Sequence, residues 1–428
     1  MLQKVLKFAL NADEKNILKR SVFWNMLAST LTGFITAIIV FFVTRINGVG
    51  VAGIINIASA YGYQCLTLGS FGVRNLQSSD VKYQYQYSDY FYHRIITSVL
   101  MYLLLIYYSF CSGYTLEKAI VIFLFGLFKS VDAIEDVYHG EYQRNSRLDV
   151  GSIYITLRQL ASLVLFVITL ILTKSIILSL FLMTLASFIL FISLNKVTLP
   201  IFFKGEKRVD WLKIKELFIA TLPLCIASFI SMYLSNSPKY ALDNLPNSDE
   251  LQGYFGILSM PVFTINLISN MIFRPLITKI SIYWNENKIN SFIKITVIQF
   301  IFTIVLTFVI TCFGYFIGLR LLEIIFGYPL IEYMSSFIIL LIGGGAITLA
   351  NLLLLLLTIV RAQNIALVVY IFGLLFVLFG SSTLVDQYGV LGASILYLIV
   401  WIIVGIVSIL FLTLIIIRRR DGKCLEKS

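Results

Sequence analysis

Residues that can carry charge or a proton concentrate in one otherwise apolar stretch, LFKSVDAIEDVYHGEY at 127–142. On a helix that turns about 100° per residue, Lys129, Asp132, Glu135, Asp136 and His139 fall on one side, and the apolar residues between them fall on the other. Exposing a charged side chain to lipid costs several kcal/mol. The pattern therefore predicts that this stripe faces the interior of a helix bundle or a water-filled cavity.

A further charge, Arg158, lies about eight residues into the apolar run that follows. Because the two runs cross the membrane in opposite directions, we expect Arg158 at the depth of Lys129 and Asp132. Two interpretations are open: a buried ion-pair network that fixes helix register, or the polar lining of a translocation cavity with cationic sites for an anionic substrate. For His139 and Glu141, a position at the cytoplasmic surface is a third interpretation.

Two more arginines, Arg74 and Arg274, end apolar runs at matching places in the two halves of the chain. Each is either an inner-face anchor that snorkels or a cation that guards an entrance. The candidate substrate-binding residues are therefore Lys129, Arg158, Arg74 and Arg274. The candidate coupling or ion-pair residues are Asp132, Glu135 and Asp136.

The remaining reactive residue types give no pattern for covalent chemistry. The two histidines, His93 and His139, are far apart in sequence, and the five cysteines have no metal-binding spacing. The chain also lacks a nucleotide-binding loop, so transport would not be powered by an ATPase on this chain. We predict no catalytic residues, no metal and no cofactor, and a protein that is not an enzyme.

Composition identifies the elements that must position these side chains. Of the 428 residues, 59% are hydrophobic and only 13% are charged, and the mean hydropathy is +0.91. Apolar runs long enough to cross a ~30 Å hydrocarbon core recur along the chain. We predict an all-α polytopic membrane protein of about twelve spans, at 21–44, 50–72, 91–112, 116–138, 150–172, 175–195, 214–236, 250–273, 289–316, 332–360, 364–385 and 388–417.

The distribution of basic residues predicts the orientation of these spans. With the N-terminus inside, 26 of the 33 lysines and arginines fall in inner segments, five in outer segments and two, Lys129 and Arg158, within spans. Such a bias is typical of proteins with basic cytoplasmic loops. It accounts for the net charge of +11 without nucleic acid as a partner, and it places both termini in the cytoplasm of a cell membrane protein.

The longest inner connection is basic and divides the chain into two halves. GIINIAS at 53–59 and GYFGILS at 253–259 share Gly, Ile and Ser positions at the start of the second span of each half, as a duplicated bundle requires. The predicted organisation is a cytoplasmic interfacial segment at 1–20, a six-helix bundle at 21–195, a basic cytoplasmic linker at 196–213, a second six-helix bundle at 214–417 and a basic cytoplasmic tail at 418–428.

Several stretches resemble those of polysaccharide transporters. They are RNLQSSDVKYQYQYSDYFYHRIIT after the second span, DVYHGEYQRNSRLDVGSIYITLRQLAS across the fourth and fifth, SPKYALDNLPNSDELQGYFGILSMP between the seventh and eighth, and GVLGASILYLIVW near the C-terminus. Their order and placement resemble the Wzx-type repeat-unit flippases (O-antigen and capsule) of the multidrug/oligosaccharidyl-lipid/polysaccharide exporter superfamily. Residues at positions that recur in that family are Arg74, Asp89, Gln143, Arg158, Lys239 and Gly253.

The resemblance implies two six-helix bundles around a central cavity. It also implies a substrate: an undecaprenyl-pyrophosphate-linked oligosaccharide repeat unit that alternating access moves from the cytoplasmic to the outer leaflet for surface polysaccharide biosynthesis. The implied partners are this lipid-linked oligosaccharide, membrane lipids, a polysaccharide polymerase and glycosyltransferases. The first span has no Lys or Arg before Arg45, unlike the cationic cavities of that family.

Two other functions remain open from the sequence. A drug/cation antiporter of the same superfamily needs a carboxylate inside a span, which Asp132, Glu135 or Asp136 could supply. A polytopic polysaccharide polymerase needs acids or bases over the outer face, where the longest predicted loop is only SPKYALDNLPNSD. The sequence does not identify the glycan, its destination as capsule, O-antigen or exopolysaccharide, the coupling ion or the oligomeric state.

Overall fold

The computed structural model describes residues 8–10, 16–80, 82–202, 209–273, 276–362 and 364–420, which form helices and short connections without a strand. The helices are α1 (Ile17–Asn47), α2 (Val49–Ser70), α3 (Val73–Ser79), α4 (Tyr87–Phe110), α5 (Leu116–Arg144), α6 (Leu148–Thr173), α7 (Ile176–Phe202), α8 (Trp211–Leu242), α9 (Ser248–Ser259), α10 (Val262–Phe273), α11 (Ile277–Asn285), α12 (Ile289–Phe313), α13 (Leu319–Phe326), α14 (Met334–Ile359) and α15 (Asn364–Arg420). A π-helical turn, Gly314–Gly318, joins α12 to α13.

The described helices account for about twelve membrane crossings, as predicted. Ten of the described helical segments are long and apolar enough to span a membrane. The helix α5 is not among them because it carries too many charged residues. The helix α15 has 57 residues, which is about 85 Å at 1.5 Å per residue and too long for one crossing.

The helix α15 breaks within its length. Gly389 has φ 53° and ψ −125°, a conformation that residues with a β-carbon rarely adopt. A β-carbon at the nearby Gly392 would clash with the carbonyl oxygen of Leu384, so the two parts of the chain approach closely here. The break separates the predicted spans 364–385 and 388–417.

The chain forms two compact units, Met1–Met232 and Tyr233–Ser428. The boundary lies inside α8, and the first part of that helix belongs to unit 1. There Leu217 and Cys225 are buried in a cluster with Phe71, Val73 and Tyr90. The predicted bundles at 21–195 and 214–417 stay a prediction, and residues 203–208 of the predicted linker lie outside the described residues.

The prolines near the seventh and eighth predicted spans have different effects on the helices. The helix α8 continues through Pro223 and Pro238, whereas α9 and α10 are separated at Met260 and Pro261. A proline removes one backbone N–H donor, and a helix often ends or bends there. Pro275 lies outside the described residues.

The helix α5 has neighbours on two sides within unit 1. It packs against α2, α3 and α4 on one side and against α6 and α7 on the other. The packing against α3 is close at Gly140, where a β-carbon would meet the end of the buried Gln77 side chain. A helix surrounded in this way has no lipid-facing side for charge, and the charged stripe is consequently enclosed.

Candidate functional site

The charged stripe of α5 forms ion pairs in two directions. Towards α6 and α7, Arg158 pairs with Glu135 at 2.8 Å and also with Asp132. Its guanidinium donates a further hydrogen bond of 2.6 Å to the hydroxyl of Ser187 on α7. Arg158 is fully buried, so three helices are joined around one guanidinium.

Lys129 completes this first group. Its ammonium lies 3.2 Å from Oδ2 of Asp132 and 4.6 Å from the centre of the Tyr63 ring. Lys129 is also fully buried. Two cations and two carboxylates, Lys129 and Arg158 with Asp132 and Glu135, therefore neutralise one another. We name these four residues the neutral cluster.

Towards α2, α3 and α4, one carboxylate is shared by two arginines. Asp136 accepts from Arg94 at 2.9 Å and from Arg74 at 3.3 Å. Arg94 is 2% exposed and also donates to the carbonyl of Gly69, whereas the Arg74 side chain is 33% exposed. A second nitrogen of the Arg74 guanidinium, Nη2, is 3.4 Å from Oε1 of Gln143. Arg74, Arg94 and Asp136 form the cationic cluster, with a net charge of +1.

Further along α5, Arg144 organises the connection between α3 and α4. It pairs with Asp80 at 3.3 Å and with Glu141 at 3.5 Å, and its guanidinium lies 3.8 Å from the centre of the Tyr83 ring. Its side chain also donates to the carbonyls of Asp80 and Tyr85. These contacts fix the connection beside the cationic cluster.

The Asp80 carboxylate is held in its charged form by its neighbours. Burial by itself raises the pKa of this carboxyl, but the N–H groups of Tyr85 and Gln84, the charge of Arg144 and the Tyr90 hydroxyl together lower the pKa below its ordinary value. The carboxylate is therefore fully ionised near neutral pH, which preserves its pairing with Arg144.

The predicted stripe is divided between two groups, and Asp136 does not meet Arg158. On the helical wheel Asp136 lies about 20° from Lys129, whereas Glu135 lies about 120° from it in the same direction of rotation. Glu135 therefore faces α6 and α7, and Asp136 faces α3 and α4. The sequence pattern predicted one charged side but could not predict that neighbouring helices would divide it.

The predicted binding residues lie in different environments. Lys129 and Arg158 are enclosed in the neutral cluster, an arrangement that agrees with a buried ion-pair network. Substrate binding by either residue stays a prediction, and it would require the cluster to open. Arg74 is the second residue of the short helix α3, beyond the left-handed residues Phe71 and Gly72 that follow α2. Arg274 lies outside the described residues.

Two residues of the network were not predicted. Arg94 lies near the start of the predicted third span and is one of the 26 inner basic residues, yet it is buried against Asp136. Ser187 was not considered because a serine in an apolar run carries no signal of its partner. A helical wheel of the third span could have identified Arg94, since His93, Arg94 and Thr97 are all buried polar residues of α4.

The histidines occupy enclosed positions. His139, assigned as one option to the cytoplasmic surface, is 2% exposed, and its Nε2 lies 3.3 Å from the hydroxyl of Ser152. His93 is fully buried, and its ring centre lies 4.0 Å from that of Phe218. Neither ring has a carboxylate as a hydrogen-bond partner within the part of the chain that the structure describes, and no group of metal-ligating residues occurs there either.

Comparison with known proteins identifies the fold. No protein family model matches the chain. It is 25% identical over 278 residues to the capsular polysaccharide biosynthesis protein CapF of Staphylococcus aureus, which is 64% of this chain and 69% of that protein.

Solved structures of transporters superpose over nearly the whole chain. An inward-facing multidrug resistance MATE family transporter of the MOP superfamily has a TM-score of 0.69 at 10% identity, covering 94% of this chain and 100% of that one. A MOP superfamily transporter from Pyrococcus furiosus, described as having a binding pocket of reverse polarity, has a TM-score of 0.58 at 12% identity, covering 97% and 99%. The chain therefore has the fold of MOP superfamily transporters.

Proposed function

We propose that this protein is a flippase that moves undecaprenyl-pyrophosphate-linked oligosaccharide repeat units from the cytoplasmic to the outer leaflet by alternating access. The observation that carries the proposal is the cationic cluster, in which two arginines share a single carboxylate. A pyrophosphate head group needs cationic donors because it cannot enter a ~30 Å apolar core unshielded. The lipid tail can remain in the bilayer, so only the head group has to be sheltered.

Arg74 is the residue of the cluster best able to bind a phosphate. Its bonds to Asp136 and Gln143 are long, at 3.3 and 3.4 Å, and a third of its side chain is exposed. Asp136 would keep its shorter bond to Arg94 if Arg74 turned away. The guanidinium of Arg74 can therefore exchange a weak partner for a bidentate phosphate without leaving a buried carboxylate unpaired.

The remaining parts of the proposal rest on similarity and on the sequence. The name of the Staphylococcus aureus relative supports a role in polysaccharide biosynthesis. The Wzx-type substrate, and a polymerase and glycosyltransferases acting in the same pathway, are proposed from the sequence resemblance alone. Arg274 remains a proposed second contact for the head group. Capsule, O-antigen and exopolysaccharide are all compatible destinations.

A drug/cation antiporter is the second candidate, because the fold is shared with multidrug transporters. Cation exchange needs a carboxylate that can bind the ion or a proton. Each candidate carboxylate on α5, namely Asp132, Glu135 and Asp136, is paired with at least one arginine. This pairing favours the flippase, since these carboxylates would have to leave their arginines to bind a cation.

Deletion of the gene separates the two candidates. We expect loss of surface polysaccharide and accumulation of lipid-linked repeat units, both restored by the plasmid-borne chain. Expression in a host that lacks its own drug exporters is expected to leave resistance to cationic dyes unchanged. Increased dye resistance together with normal surface polysaccharide in the deletion strain would favour the antiporter and exclude the flippase.

The proposal includes a cell membrane location with both termini in the cytoplasm, which follows from the distribution of basic residues. We expect a single cysteine at position 247, on a background without the native cysteines, to react with an impermeant maleimide in intact cells. A cysteine at position 206 should react only after the membrane is permeabilised. Labelling of position 206 from outside would reverse the topology and contradict the 26-to-5 distribution of basic residues from which it follows.

A further inference from the structure

Unit 2 contains a cavity of about 290 Å³ among its membrane helices. Small-molecule sites usually begin at about 300 Å³, so one small ring is the largest ligand that this space would enclose. Leu352 and Leu355 contribute apolar surface. The polar and aromatic lining consists of Asn266, Ser269 and Phe273 on α10, Thr303 on α12, and Thr348 and Asn351 on α14.

The lining is mostly apolar, and its polar groups carry no charge among the described residues. Two amides and three hydroxyls face a space within a membrane helix bundle, and no carboxylate, lysine or arginine among the described lining residues accompanies them. An anionic head group would lack a cation here, and a metal ion would lack a carboxylate. Hydroxyls, amides and an aromatic ring instead suit a neutral ligand that has both hydroxyl groups and C–H faces.

One lining hydroxyl lacks a partner among the described residues. Ser269 is 1% exposed, and its Oγ makes no hydrogen bond to any of them. Thr303 and Thr348 donate to carbonyls of their own helices, Gln299 and Gly344, which leaves their oxygen lone pairs able to accept. An unpaired polar atom in a membrane interior is costly, so the cavity offers both a donor and acceptors to a guest.

Asn351 is the exposed residue of the lining, although it belongs to an apolar spanning segment, Ile331–Ile359. Polar side chains exposed within a span face water-filled space rather than lipid in most membrane proteins. A ligand could therefore enter past Asn351 from an aqueous phase.

We infer that this cavity of unit 2 binds one neutral sugar ring of the translocated glycan. The inference rests on the proposed flippase function and adds to it a carbohydrate subsite. The amides and hydroxyls bind ring hydroxyls, and Phe273 and the leucines contact the C–H face. Recognition of one neutral ring gives the protein a means of selecting its glycan.

The test measures sugar binding directly on the purified full-length protein in nanodiscs. Saturation-transfer NMR with methyl glucoside, methyl galactoside and methyl N-acetylglucosaminide at millimolar concentration is expected to show transfer from the protein to at least one of them. Thr348→Val combined with Asn351→Leu should weaken that binding about tenfold or more, since two hydrogen bonds are removed. Methyl galacturonide, the charged probe, should bind more weakly than the neutral sugars.

A matched control is available on the same helix. Thr358 also donates to a carbonyl four residues earlier, at 3.0 Å, but does not line the cavity. Thr358→Val should leave sugar binding unchanged, and both variants should keep the thermal unfolding midpoint of the parent within a few degrees. Single Ser269→Ala, the smallest change to the cavity, gives an independent variant if the double variant unfolds.

Absence of transfer to every neutral sugar would overturn the inference and indicate a cavity that holds water only. Equal binding by the parent and the cavity variants would overturn it as well, as would preference for the charged sugar. These failures are distinguishable from failure of the proposed function. Loss of export on gene deletion, with parental export by the cavity variants, would leave the flippase in place and remove only the sugar subsite.

Discussion

Replacing Arg158 with methionine is expected to destabilise unit 1 more than any other single change in its ion-pair network. The substitution keeps much of the side-chain volume but leaves Glu135 without an ion-pair partner among the described residues, while Asp132 keeps Lys129. Removing one partner of a buried ion pair typically costs about 3–5 kcal/mol. We expect a lower thermal unfolding midpoint and a lower yield of monodisperse protein in detergent.

The second substitution of a double-mutant cycle identifies which carboxylate is responsible. Glu135→Gln in the Arg158→Met background should recover most of the lost stability, because it removes the unpaired charge. Asp132→Asn should recover less, since Asp132 still pairs with Lys129 and its loss leaves that ammonium buried without a carboxylate. Additive losses in both cycles would mean that these residues are not coupled.

A control substitution tests whether any lost arginine has this effect. Arg361 is exposed at the end of α14, and Arg361→Met should change the unfolding midpoint little, as surface substitutions usually do. A comparable decrease for Arg361→Met and Arg158→Met would contradict an origin in buried charge.

The second large effect is expected on transport rather than on stability. Arg74→Gln should reduce polysaccharide export about tenfold or more, because a charge-assisted contact to phosphate contributes roughly 1.5–3 kcal/mol. Lipid-linked repeat units should accumulate on the cytoplasmic side. The unfolding midpoint should stay near that of the parent, since Asp136 keeps Arg94.

Two companion variants show whether export depends on the positive charge in this region or on the guanidinium at position 74. Lys82→Gln removes a positive charge from an exposed residue of the neighbouring connection, and it should export at the parental rate. Arg74→Lys keeps the charge but loses the bidentate geometry of a guanidinium, and it should be intermediate. Parental export by Arg74→Gln, at normal protein level, would place the head-group site elsewhere.

Much of the fold could be predicted from the sequence because the bilayer imposes a strict length and polarity on each span. The apolar runs predicted twelve crossings. The structure supplies ten clearly apolar helical segments, the charged helix α5, and a division of α15 at Gly389. Backbone groups in lipid can be satisfied within a single helix, and this is why local sequence is sufficient for the element type. The break at Gly389 also depends on local sequence, because its positive φ is a conformation that favours glycine.

The sequence by itself also determined that α5 carries charge on one side and that Arg158 lies at the depth of that charge. These properties follow from helix periodicity and from antiparallel crossing, neither of which needs a partner to be known. Tertiary structure alone decided the pairing, because α5 lies between α2, α3 and α4 on one side and α6 and α7 on the other. Side chains only 100° apart, Glu135 and Asp136, therefore reach different arginines, and the burial of Arg94 and Arg158 against them leaves Arg74 as the partly exposed cation.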